Sequence, residues 1–154
     1  MNKVYKARKS GFTLVELLIV TVIIGILAGM MMLMMGSATD GAEATKYIND
    51  LRLVKSASLL YYADWDVWPE DGVSATELPL AVVKSIEKYM DKGLAANYGS
   101  KIFLARSDDG RVYYGLSPDK LSQGARDKLK KNGAIYDSNG SQYSGTGLAY
   151  MIIR

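Results

Sequence analysis

The sequence predicts an α+β fold: one long N-terminal helix packed on a small antiparallel sheet, with additional short helices beside it. Three observations predict it. Residues 17–39 form an apolar run of 23 residues without a single charge. Beyond that run Tyr47, Leu51, Val54, Ser58, Tyr61 and Trp65 step by four and three, which keeps them on one helical face. Further on, two apolar-rich runs at 101–106 and 111–116 flank Ser107-Asp108-Asp109-Gly110, a hairpin signal.

The elements follow in order. Residues 1–11 are a basic leader. Residues 12–37 are an apolar helix long enough to cross the roughly 30 Å hydrocarbon core of a bilayer. The helix is expected to continue to about residue 63, which gives about 78 Å at 1.5 Å per residue. Lys46, Asn49, Asp50, Arg52 and Lys55 fall mostly on its wetter side. Pro69 disfavours helix at Trp68 and ends it. Residues 38–154 are then the globular head, including the second half of the long helix. Within it, Thr76-Glu77-Leu78-Pro79 reads as a helix start, with Leu78, Val82, Ile86 and Met90 on one face and Gly93 as the stop. After the hairpin, Ser117-Pro118 reads as an N-cap with Pro in the first turn, and Asn132-Gly133 as the closure. Residues 138–147 form a Gly- and Ser-rich loop before a last strand at 148–153.

Composition excludes several functions. The chain of 154 residues has no Cys and no His, so it offers no disulfide framework, no thiol nucleophile and no usual zinc site. The formal charge of +3 resides in the leader, where Lys3, Lys6, Arg8 and Lys9 meet no acid. Without residues 1–11 the chain has 15 basic groups (19 less 4) against 16 acidic ones, a net of −1. Bulk electrostatics therefore give no reason to expect nucleic acid. No nucleophile–base motif points to an enzyme.

The chemistry-bearing stretch is Lys9-Ser10-Gly11-Phe12-Thr13-Leu14-Val15-Glu16. It sets a carboxylate at the head of the apolar run. A charge in lipid costs at least a few kcal/mol unless it is paired, so Glu16 should have a partner. The pattern, closely over residues 8–30, resembles the class III signal of type IV pilins and the pseudopilins of type II secretion. The resemblance implies cleavage by a prepilin peptidase after Gly11 and N-methylation of the new first residue, Phe12. It makes Glu16 the assembly residue. It implies a pilin-like fold and a structural subunit that polymerises through its apolar helix, with related minor pilins, an assembly platform protein and an ATPase as partners. It places the chain as a single pass in the inner membrane before assembly and in a periplasmic or extracellular filament afterwards. Many pilins carry a Pro late in the apolar segment; Leu33 stands there, among Met30–Met35, while Gly25, Gly29 and Gly36 remain as helix weak points.

Physical chemistry gives Glu16 its partner. A new α-amino group is mostly cationic at neutral pH. A neighbouring subunit's Glu16 can neutralise it inside an apolar bundle, where the pair matters more than in water. An ordinary secretory signal fits less well: Ala42-Glu43-Ala44 offers a cleavage match, but the apolar run exceeds the usual 7–15 residues. A monomeric membrane-tethered periplasmic binding domain is the alternative function, and such a tether needs neither Glu16 nor the cleavage motif.

Other signals carry plainer readings. Asp137, Asn139 and Ser141 space oxygens at alternate positions and are calcium candidates, with Asp108-Asp109 as another acidic turn. The loop has one carboxylate and lacks the full EF-hand pattern, so it also reads as an ordinary turn, and no cofactor is required. The Met cluster reads as adaptable apolar filling rather than a copper site. Arg126, Lys128, Lys130 and Lys131 suit a helix C-terminus. Tyr61, Tyr62, Trp65 and Trp68 read as packing where the long helix ends, with a carbohydrate or surface-contact role left open.

Overall fold

The computed structural model describes residues 11–91, 94 and 98–154. The basic residues of the leader and the expected stop at Gly93 lie outside the described residues. In chain order the elements are α1 (Leu14–Trp65), α2 (Leu80–Glu87), β1 (Phe103–Arg106), β2 (Val112–Leu116), α3 (Gln123–Lys130) and β3 (Ala149–Ile152). The chain divides into two compact units, up to Gly36 and from Ser37 onward.

In the first unit the helix is apolar on every side. Its large apolar side chains from Phe12 to Met32, and Met34 and Met35, are exposed. A helix that is apolar all round has no preferred face to bury and needs an apolar surrounding.

The second unit has a core. The 3.6-residue period puts Ala44, Tyr47, Leu51, Val54, Ala57 and Ser58 on one buried stripe. The sheet is an antiparallel meander in the order β1-β2-β3. Leu104 pairs with Tyr114, and Tyr114 with Met151. The turn at Ser107–Gly110 closes through Gly110 N–H to Ser107 O at 3.0 Å, with Gly110 at φ 84°. All of β2 is buried, so the sequence of its central strand reads as a continuous apolar run rather than an alternation. Gly115 is required there: a Cβ would strike the Tyr150 ring across the β2–β3 pair.

Tyrosine carries much of the junction between helix and sheet. Tyr47 is buried, and its hydroxyl sits 2.5 Å from Leu116 O and 3.0 Å from Ala149 O. Tyr98 donates to Asp50 Oδ2 at 2.7 Å. Tyr114 donates to Glu70, whose carboxylate is fully buried. Arg154 Nε lies 2.9 Å from Glu70 Oε1, an ion pair without an aligned hydrogen bond, and Arg154 also pairs with Asp71 at 3.0 Å. Arg106 donates to the carbonyls of Glu70 and Val73 at 3.0 and 2.8 Å. Buried charge is tolerated only when paired, and these contacts fix the loop that follows α1.

Three local expectations are corrected. The segment Thr76–Leu78 is extended, not helical: Glu77 bridges Phe103, and Leu78 N–H donates to Ile102 O at 2.9 Å. Pro79 holds φ −55° and ψ 141°, so α2 begins only after it, and Val83 is fully buried while Val82 packs half-buried against the same core. Ser117 does not cap α3. Its hydroxyl bonds Asp119, and Ser122 is the cap, accepting from Ala125 N–H at 3.1 Å. Gly133 is not a left-handed stop either; α3 ends at Lys130, and its C-cap Lys131 is in the right-handed region.

The cap of α3 is occupied from outside as well. Ser122 Oγ donates to Asp40 at 2.5 Å, and Ser122 N–H donates to Glu43 at 3.0 Å. Two carboxylates of α1 thus sit at the positive end of α3, the favourable arrangement for a helix dipole. Gly124 makes room, since a Cβ there would collide with the Asp40 carboxylate. Lys128 reaches Ser37 from the other end of the same helix.

Candidate assembly site at the start of the long helix

The first turn of α1 is built as a capping box. Thr13 precedes the helix, and its hydroxyl accepts from Glu16 N–H at 3.2 Å. Glu16 reaches back, and its Oε2 accepts from both Thr13 N–H and Thr13 Oγ1–H at 2.8 Å. Two otherwise unpartnered amides of the helix start are satisfied reciprocally. The carboxylate at the head of the apolar run therefore has a partner within its own chain, which sequence reasoning did not assign. The signal was present as Thr13-Leu14-Val15-Glu16, a Thr with Glu three residues on.

Gly11 and Phe12 precede the cap in irregular backbone, and Phe12 is 83% exposed. Gly11, Phe12 and Glu16 thus occupy one exposed turn and the residues that lead into it. Among the described residues, α1 is the one helix long and apolar enough to cross a membrane, and none of its most apolar stretch is buried.

The other candidates lie in the head. Asp137 Oδ1 accepts from Asn139 N–H and Ser141 N–H, both at 2.9 Å, so the carboxylate folds the turn on itself. Gly140 completes that turn at φ 79°. Among the described residues no three His, Cys, Asp or Glu side chains converge as a metal site would need. In the basic cluster, Arg126 donates to Pro118 O at 3.0 Å and Lys128 to Ser37, so two of its four cations hold the fold.

The prokaryotic N-terminal methylation motif matches residues 6–32, the stretch that holds Gly11, Phe12, the capping box and most of the apolar run. The type IV major pilin protein PilE of Neisseria gonorrhoeae is 39% identical over 118 residues, which cover 77% of this chain and 68% of that protein. The chain belongs to the type IV pilin and pseudopilin family. A second gonococcal relative, the type IV major pilin protein PilE1, is 34% identical over 77% of this chain, which spans only 53% of that protein. The type II secretion system core protein G of Aeromonas hydrophila is 28% identical over 77% of this pilin-family chain and 80% of its own length. Among solved structures, the major type IV pilin PilA1 of Clostridium difficile aligns over 76% of this chain and 98% of its own, with 22% identity and a TM-score of 0.49.

Proposed function

We propose that this protein is a structural subunit of a type IV pilus-like or pseudopilus filament and not an enzyme. The observation that carries the reading is an apolar helix exposed on all sides and headed by a single capping carboxylate. Such a helix is soluble in lipid, and it leaves lipid only for another apolar surface, which the same helix of other copies provides. The chain waits as a single pass in the inner membrane, with its basic leader on the cytoplasmic side. A prepilin peptidase cuts after Gly11 and methylates Phe12. An assembly platform protein and its ATPase then deliver subunits, with related minor pilins, to a periplasmic or extracellular filament.

Glu16 works in two stages in this reading. In the single chain its Oε2 caps the helix through Thr13. On assembly its charge neutralises the amino group of Phe12 in a neighbouring copy. No cofactor enters the scheme, and Asp137, Asn139 and Ser141 act as a turn.

The decisive measurement is the N-terminal mass of the membrane-derived protein. The expected product begins at N-methyl-Phe12. A chain that starts at Thr45, as a secretory cleavage after Ala44 would give, or that retains Met1, refutes the reading.

A further inference from the structure

The two tryptophans of the chain stand at the end of α1 and in the loop just beyond it, and their rings are used differently. Trp68 is half-buried and engaged: Tyr62 stacks on it with centroids 4.6 Å apart and planes 20° apart, and the Arg154 guanidinium lies 5.0 Å from the ring centre. Trp65 stacks on Tyr61 at 6.3 Å and 29°, and stays 65% exposed. A large ring held in place yet left in water is a prepared contact surface.

Beside Trp65 lies an open cleft of about 340 Å³, lined by Tyr61, Trp65, Ser85, Lys88 and Tyr89. Its walls come from two elements. Tyr61 and Trp65 belong to the last turns of α1, whereas Ser85 belongs to α2 and Lys88 and Tyr89 follow it. The walls are fixed relative to each other. Tyr89 meets Tyr61 edge-on at 6.3 Å and 84°, and its hydroxyl donates to Asp64 Oδ2 at 2.7 Å. The Ser85 hydroxyl donates to Ala81 O, which leaves its own lone pairs open to a donor. Lys88 supplies an ammonium with three donors.

This combination selects a kind of ligand. A flat apolar ring face asks for a flat apolar face in return. A rim of ammonium and hydroxyl asks for hydroxyls. An acyl chain would leave Lys88 and Ser85 facing hydrocarbon, at a cost in desolvation. A quaternary ammonium would suit the rings but would meet the Lys88 charge. A pyranose fits both demands, because its C–H groups form an apolar face and its hydroxyls ring the edge.

We propose that this cleft is a carbohydrate-binding site, in which a pyranose of an oligosaccharide stacks on Trp65 and hydrogen-bonds Lys88 and Ser85. The site goes beyond the filament reading and does not depend on it.

The test is calorimetric titration of the full chain with cellotetraose and with chitotetraose, in a detergent without a sugar headgroup. Saturable binding of at least one is expected. Trp65→Ala removes an exposed ring and should weaken that binding by about tenfold or more, which is about 1.4 kcal/mol. Lys88→Ala should weaken it less, and Leu60→Ala, exposed on the same helix outside the cleft, should leave it unchanged. Filament yield is scored on the same variants, so that the two readings are judged separately. The proposal is overturned if neither sugar saturates the native protein, or if Trp65→Ala binds as the native protein does. It is also overturned if Trp65→Ala abolishes filaments while the native protein binds no sugar, which would make the surface a contact between copies.

Discussion

Before Ser37, Phe12, Leu14, Ile19, Ile24 and Met31 are all more than half exposed; after it, Tyr47, Leu51, Val54, Tyr114 and Leu129 are buried almost completely. Both regions are rich in apolar residues, yet only one makes a core. The difference is arrangement. In the first region apolar side chains surround the helix, so no single neighbour in the same chain could cover them. In the second they repeat with the helical period, and a sheet and two short helices cover one stripe. The lesson is that the first region is stable only in a surrounding that other molecules supply, lipid or further copies, whereas the second supplies its own.

Polar groups follow the same division. Glu16 heads an apolar run and takes Thr13 as its partner within the chain. Glu70 is already surrounded, and Tyr114 and Arg154 meet it from separate elements.

The largest expected effect breaks the comparison at Glu16. Glu16→Gln keeps the capping box, since Gln serves at that position, but removes the charge. Anchoring and cleavage after Gly11 should survive, while filament yield by shearing and microscopy should collapse. An unpaired buried charge costs about 3–5 kcal/mol. That is a factor of roughly a hundred to a few thousand for each added subunit. Thr13→Val does the reverse. It loses a cap worth about 1 kcal/mol but keeps the charge, and filaments should persist. Normal filaments from Glu16→Gln would show that the cap, not the charge, is what assembly uses.

Next in size is Arg154→Met. It leaves the Glu70 carboxylate buried with Tyr114 as its side-chain partner, and should cost about 3 kcal/mol in thermal or urea unfolding of the head. Asp71→Asn neutralises the half-exposed partner of Arg154, keeps an amide oxygen for the Trp68 N–H that Asp71 accepts, and should cost under about 1 kcal/mol. Equal losses from the two would show that Arg154 acts as surface packing and not as the counter-charge of a buried acid.

A smaller loss is expected from Gly124→Val. The new side chain meets Asp40 where the carboxylate caps α3, and overpacking of this kind costs about 1–3 kcal/mol. Pairing it with Asp40→Ala should recover part of the loss, which a double-mutant cycle measures. If the two losses simply add, α3 does not dock through that contact.

The mildest effect is on the alkaline side. Burial pushes the phenols of Tyr47 and Tyr98 above their ordinary value near 10, and burial together with the bond to Glu70 does the same for Tyr114. A raised value favours the neutral phenol in the folded state. The stabilisation is therefore complete below about pH 10 and is lost as pH rises through the folded values. Unfolding midpoints of the head should hold from neutral pH to about 10 and then decline. Midpoints that stay level beyond that point would contradict the burial of these three rings.

Sequence by itself determined the elements that rest on periodicity and on motif: α1 and its buried stripe from Tyr47 to Ser58, the Ser107–Gly110 hairpin, the last strand, and the stretch Gly11–Glu16. Spacing is a local property, and a long period leaves little choice of face. Only the tertiary structure decided the rest. Thr76–Leu78 is extended because Ile102 and Phe103 offer it backbone partners, which no local signal announces. Ser122 caps α3 in place of Ser117 because Asp40 and Glu43, some eighty residues earlier, come to meet it. Glu70 is buried because Arg154, from beyond the last strand, reaches it. In each case a polar group takes its place from partners distant in the chain, and their arrival is set by how the apolar stripe closes over the sheet.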